Sequence, residues 1–304
     1  MSPSLRTFLS GVWWPLLLGL GIACQASGMA HGWGSATYAA TYAGLALALF
    51  LLERWMPHES QWLEHDGQFW PDLGHTVLST IAAQGGALVV AMVGLTWALG
   101  KRPAASHWPS QWPEACQVAL GMVVAEFGLY WAHRIAHERD WLWRFHAVHH
   151  SSTRLWFFNN SRFHFVDALK SVLLSIPLLI LVGAPGSILV WVSALTSFIG
   201  ILTHCNVEMR FGPLNYVFNT PGLHRWHHST DLREGNKNYG ESLVLFDLIF
   251  GTYLNPHRRP PAKIGIKEDL PRTFLAQIKA PFVWQRYRLR FAGADRKSVG
   301  SGRN

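Results

Sequence analysis

The sequence predicts an all-α integral membrane protein, and three observations carry that reading. Apolar stretches long enough to cross roughly 30 Å of hydrocarbon as helices recur through its first half. Of the 304 residues, 49% are apolar and only 14% charged. Mean hydropathy is +0.11, between an ordinary water-soluble domain and a bare transmembrane bundle, as expected for spans that carry a sizeable polar part.

Four spans are read at roughly 11–30, 36–52, 76–99 and 115–132. Tryptophans border these runs (Trp13, Trp14, Trp33, Trp97, Trp108, Trp112), where an amphipathic ring suits the membrane interface. An Arg precedes the first run and no small-residue cleavage site follows it, so it reads as a retained span rather than a signal peptide. A fifth apolar region, Ser171 to Thr203, is broken by Gly183-Ala184-Pro185-Gly186, a turn signal that a straight helix does not tolerate. It predicts a re-entrant or half-span helical hairpin. One continuous helix there would be about 50 Å long and would strand His164 and His204 on opposite sides of the bilayer.

Charge placement agrees with the hairpin. Arg6 and Arg54 flank the first two spans, six basic residues lie in 133–170 and sixteen in 205–304. Only Lys101 and Arg102 fall in the expected outer loop, so 24 of 26 basic residues are cytoplasmic if the N-terminus is inside. The net charge of +8 therefore follows membrane sidedness, and no nucleic-acid recognition motif accompanies it. From Asn206 onward the chain reads as a polar cytoplasmic cap of short helices and loops, ending in a basic tail from about Ala292. Cys24, Cys116 and Cys205 form no CxxC pair, which excludes a disulfide scaffold or zinc ribbon.

The chemistry lies in the histidines. Eight fall in three clusters: His133 and His137; His146, His149 and His150; His224, His227 and His228. On a helix, positions i, i+3 and i+4 share a face, so each cluster aims two or three imidazoles at one point. Random placement gives about 0.04 occurrences of His-x-x-His-His in such a chain, and there are two. The isolated His31, His58, His65, His75, His107 and His257 read as ordinary core or surface residues. Imidazole suits zinc, copper, iron or nickel, but one zinc needs only three or four ligands. Eight or more histidines beside a membrane imply two metals.

The three boxes, in this order, resemble the fatty acid hydroxylase and sterol desaturase superfamily of membrane di-iron oxygenases. The likeness runs from about Glu126 to Pro256 and takes in Asn160-Ser161-Arg162-Phe163-His164, His204-Cys205-Asn206, Thr220-Pro221, Asn238-Tyr239-Gly240 and Phe250-Gly251-Thr252-Tyr253. It implies that His164 and His204 join the eight boxed residues as ligands of two iron ions that use O2. It also implies a catalytic domain at 115–256, between an N-terminal transmembrane region (1–114) and a C-terminal tail (257–304). Metal-bound imidazoles donate their other N–H to a carboxylate or carbonyl. Glu126 and Tyr130, 7 and 3 residues before His133, together with Asp167, Asn206 and Asp247, are the candidates to accept it.

The expected reaction is O2-dependent hydroxylation of an alkyl C–H bond of a lipid, a fatty acyl chain, a sterol or a related molecule. Desaturation by the same ligand set is the alternative. A histidine-rich metal transporter is a weaker one, because its ligands would lie in the middle of several spans. No GxGxxG, cysteine cluster or fused haem domain is present, so electrons must come from a separate ferredoxin or cytochrome b5-like donor and its reductase. The expected location is a bacterial inner membrane or endoplasmic reticulum, with the active site on the cytoplasmic side.

Overall fold

The computed structural model describes residues 2–99 and 108–288. Lys101, Arg102 and His107 of the expected outer loop, and the basic tail, lie outside them. Helices α1 (Pro3–Ala30), α2 (Gly34–Trp55), α3 (Phe69–Leu99) and α4 (Glu114–Glu138) correspond to the four expected spans. α1 starts where Ser2 accepts the Leu5 N–H and Pro3 supplies a residue with no donor to lose. Gly28 permits the tight α1/α2 crossing, since a Cβ there would lie 2.2 Å from Thr37 Oγ1. α3 turns Ile81, Leu88, Val89 and Met92 outward, the arrangement of a helix solvated by lipid.

The fifth apolar region folds as two helices, α6 (Phe165–Leu181) and α7 (Gly186–Thr203), joined at Gly183, whose φ is +79°. The arms are longer than the half-span expected. Of the two, α7 has the length and apolarity to cross a membrane, which makes five such helices with α1 to α4 among the described residues. α6 packs on α3 and α4, whereas α7 packs on α1, α2 and α4. At Gly128 of α4 the contact with α6 is backbone on backbone, because a Cβ would meet the Leu174 carbonyl at 2.0 Å. Trp14, Leu49, Ile188, Phe198 and Leu202 fill the core between α1, α2, α4 and α7.

The hairpin returns the chain to the end from which it left, where several helix ends are tied to the cap by polar contacts. The Ser10 carbonyl of α1 accepts from Arg210, and the Met56 carbonyl at the end of α2 accepts from Glu208. Asp72 in the first turn of α3 pairs with Arg162, and His164 and His204 cap α6 and α7 at this same end. Over it lie α5 (Asp140–His150) and a cap with α8 (Pro221–His227), α9 (Leu232–Gly235), α10 (Leu245–Phe250) and α11 (Phe274–Lys279). Among the described residues β-structure is limited to isolated bridges such as Pro57 with Val207. Glu53 of α2 ties bundle to cap by accepting the N–H groups of Phe157 (2.8 Å) and Asn206 (2.9 Å).

Candidate metal centre

Nine of the ten expected ligands form two buried groups. His133 and His137 from α4, His146 and His150 from α5 and His227 from α8 make the first; His149, His204, His224 and His228 make the second. Within each group the ligating nitrogens lie within 4.8 Å of one another. The His133/His137 box serves a single point, as the clustering suggested, but the two three-histidine boxes do not. Residues four apart stay together (His146 with His150, His224 with His228), while His149 and His227 point to the opposite group, because neighbours on a helix are about 100° apart.

The outer nitrogens show which protonation state the rings adopt. His133 Nδ1 lies 2.8 Å from the Tyr239 carbonyl, His227 Nδ1 2.7 Å from the Lys237 carbonyl and His146 Nδ1 2.7 Å from Asp167 Oδ2. Carbonyls and carboxylates only accept, so each Nδ1 carries the proton and each Nε2 turns a lone pair inward. In the second group the Asn159 amide oxygen does the same for His204 at 3.1 Å. Inside, Nε2 atoms crowd: His146 and His137 each lie 3.1 Å from His150, and His204 lies 2.8 Å from His224. Nε2 of His133 and of His227 are buried with no hydrogen-bond partner. Burial also holds the cap histidines neutral, His227 down at about 3 and His228 well below the ordinary value, with His149 repelling its charged form. Converging neutral lone pairs fit a bound cation in the first group, and the four imidazoles of the second, their ligating nitrogens within 4.8 Å of one another, offer the donor set for another.

One short loop organises the first group. Asn236 Oδ1 lies 3.2 Å from His137 Nδ1, and the carbonyls of Lys237 and Tyr239 take the next two histidines. Asn238, at φ +54°, holds the turn by donating to the Leu223 and Leu254 carbonyls. Asp247 accepts the Tyr239 and Gly240 N–H groups, each at 2.8 Å. Glu126, from inside α4, accepts those of Glu241, Ser242 and Leu243 at 2.6, 3.0 and 3.1 Å.

Of the five polar candidates, only Asp167 touches a histidine. Glu126 and Asp247 act on the loop. The Tyr130 hydroxyl bonds Thr252 and Arg134, and the Asn206 side chain bonds the backbone of Glu59. His164 lies outside both groups: Nδ1 accepts the Val166 N–H as an N-cap and Nε2 faces the Ile278 carbonyl, so helix capping occupies the ring. Sequence reasoning missed Asn159, Asn236 and the two carbonyls. The available signals were two motifs beside them: Asn159 directly precedes Asn160-Ser161-Arg162-Phe163-His164, and Asn236 and Lys237 directly precede Asn238-Tyr239-Gly240.

These features define a class, a multi-pass membrane protein with a histidine-walled centre at one end of its bundle. Comparison places it further. Residues 118–252 match the fatty acid hydroxylase family. The chain is 46% identical over 293 residues, 92% of its length and 86% of the relative's, to ornithine lipid hydroxylase OlsE of Rhizobium tropici. It is 30% identical over 180 residues to alkylglycerol monooxygenase of Danio rerio, covering 58% of this chain and 39% of that one. Very-long-chain aldehyde decarbonylase GL1-6 of Oryza sativa is 33% identical over 140 residues, 42% of this chain and 21% of that one. No solved structure matches. The chain belongs to the fatty acid hydroxylase superfamily.

Proposed function

We propose that this protein uses O2 to hydroxylate a lipid that carries an amino-acid headgroup, at two irons held by the nine gathered histidines. The observation that carries the reading is the gathering of nine histidines into two groups at one end of a bundle of membrane-length helices, with Nδ1 of His133, His146 and His227 in the first group and of His204 in the second turned to outer acceptors. The headgroup class rests on the likeness to ornithine lipid hydroxylase, which spans 92% of the chain. Hydroxylation is preferred to desaturation on the same ground.

Bound iron supplies activation of O2 toward an unactivated C–H bond. The chain supplies the rest. Asp167, Asn159, Asn236 and the Lys237 and Tyr239 carbonyls lock five of the imidazoles from outside, which fixes where the oxidising site faces and leaves little reorganisation to the reaction. Asp167, held by Lys170 Nζ at 2.5 Å, keeps the proton on His146 Nδ1 and places negative charge behind the first group. Burial of all nine rings but His137, which is half-buried, limits water at the centre. Electrons come from a separate donor of the ferredoxin or cytochrome b5 type, for which the basic residues at the cap end offer a complementary face. That end is cytoplasmic on the distribution of basic residues. A transporter would need ligands along the spans, whereas these lie at one end.

The test is a comparison of lipid extracts from cells with and without the protein by mass spectrometry. Gain of one oxygen on an amino lipid is expected, and loss of two hydrogens instead would make the enzyme a desaturase. His150→Ala and His227→Ala should abolish the product at unchanged protein level.

A further inference from the structure

Two neighbouring hollows lie on the cap, the inner of them at the first histidine group. The inner, of about 240 Å³, has His137, His150 and His227 on its wall, with Asp140, Glu268 and Lys267 among the charged residues around it. The outer groove, of about 390 Å³, is bordered by Trp141, Arg144, Phe282, Val283 and Arg286. Asp140, Trp284 and Arg288 belong to both and form the partition between them. Across it, Arg288 Nη1 and Asp140 Oδ2 pair at 2.8 Å with side chains 54% and 77% exposed. An ion pair so exposed opens at little cost.

The outer groove lies at the depth where the spans begin. The Phe282 ring is 5.6 Å from Phe145 and 5.9 Å from His164, the cap of α6. Phe274, in the same segment, packs 5.0 Å from His75 near the start of α3. Trp141 and Phe282 are 62% and 61% exposed, and Trp70 and Leu275 extend the same exposed apolar belt. Large apolar side chains beside Arg144 and Arg286 suit the membrane interface, where rings enter the acyl boundary and guanidinium groups stay among polar heads.

We propose that this groove is the port by which a lipid with a zwitterionic amino-acid headgroup leaves the membrane surface, and that the Asp140–Arg288 pair is the gate through which the headgroup passes toward the histidines. The inference rests on the functional reading above for its ligand class. Arg144 and Arg286 meet the carboxylate on entry. Once Arg288 swings away, Asp140 and Glu268 take the ammonium group in the inner hollow. An uncharged or purely anionic head lacks the second interaction, so the port selects for a headgroup carrying both signs.

The experiment places p-benzoylphenylalanine at Phe282 of the full-length protein, in vesicles of phosphatidylglycerol and phosphatidylethanolamine with a minority of an ornithine lipid. Adducts formed on illumination are identified by mass spectrometry. The control position is Leu181, exposed at the far end of α6. Adducts at position 282 should be enriched in the ornithine lipid at least about fivefold over those at 181, and Arg144→Ala with Arg286→Ala should remove the enrichment. Equal lipid composition at the two positions, or no adduct at 282, would overturn the port. The readout needs no turnover. Capture in vesicles with no oxygenated product in the whole-cell lipid comparison would leave the port standing and sink the hydroxylase reading, and cellular product without enrichment at 282 would do the reverse.

Discussion

His133 Nδ1 and the Tyr239 carbonyl meet at 2.8 Å, joining a membrane-length helix to a loop of the cap and fixing which nitrogen of the ring faces inward. That loop is held from the bundle side by Glu126, whose Oε1 takes one N–H and Oε2 two. Glu126→Gln would set an NH2 against N–H donors on one side. It should destabilise the fold by about 1–3 kcal/mol, the cost of leaving a buried donor unpaired, and lower metal content. A variant with wild-type thermal midpoint and wild-type metal would remove Glu126 from this role.

Asp167→Asn keeps an oxygen for His146 but loses the charge behind it. Partners of this kind change metal affinity or activity by about 10–100-fold, so iron titration should show a loss in that range. Tyr130→Phe is the contrast. Its hydroxyl reaches Thr252 and Arg134 but no histidine, so iron content should not change.

Glu241, in the same loop, gives a pH signature. Burial pushes its carboxyl up from 4.5 to about 7, with Asp167 adding and Lys170 opposing. Between those values the folded protein holds a proton that the unfolded chain has released, so stability falls as pH rises from about 4.5 through about 7. Glu241→Gln should remove that part of the slope, leaving the variant gaining on the wild type in thermal midpoint from pH 5 to pH 8. Parallel pH curves would contradict the buried position of this carboxyl.

The native cysteines report sidedness. Cys116, in the first turn of α4, is exposed at the end away from the histidines; Cys205 is buried, and burial pushes its thiol up to about 12. A membrane-impermeant maleimide applied to intact cells should label Cys116 and leave Cys205 untouched. Labelling of Cys116 only after the cytoplasmic face is opened would reverse the orientation.

Much of this was legible in the residues themselves. Spans follow from apolar length, the α6/α7 reversal from Gly183 and Pro185, and the gathering of histidines from i, i+3, i+4 spacing. The division of the two three-histidine boxes between the groups was hidden, because it depends on how α4, α5 and α8 are rotated against one another, which is a tertiary property. The partners of His133 and His227 are backbone carbonyls, and any residue type carries one. His164 and Asn206 resemble site residues by motif, yet His164 caps α6 and Asn206 holds Glu59. A polar side chain at a helix end or turn serves either purpose, and only packing decides between them.

On the function proposed above, each of the two histidine groups holds one iron. Metal analysis of the protein purified without chelators, with product formation measured on the same sample, tests it most directly. The expected result is close to two irons per chain, falling with activity in His150→Ala for the first group and in His224→Ala for the second. Full activity with a single tightly held zinc and no iron would contradict it.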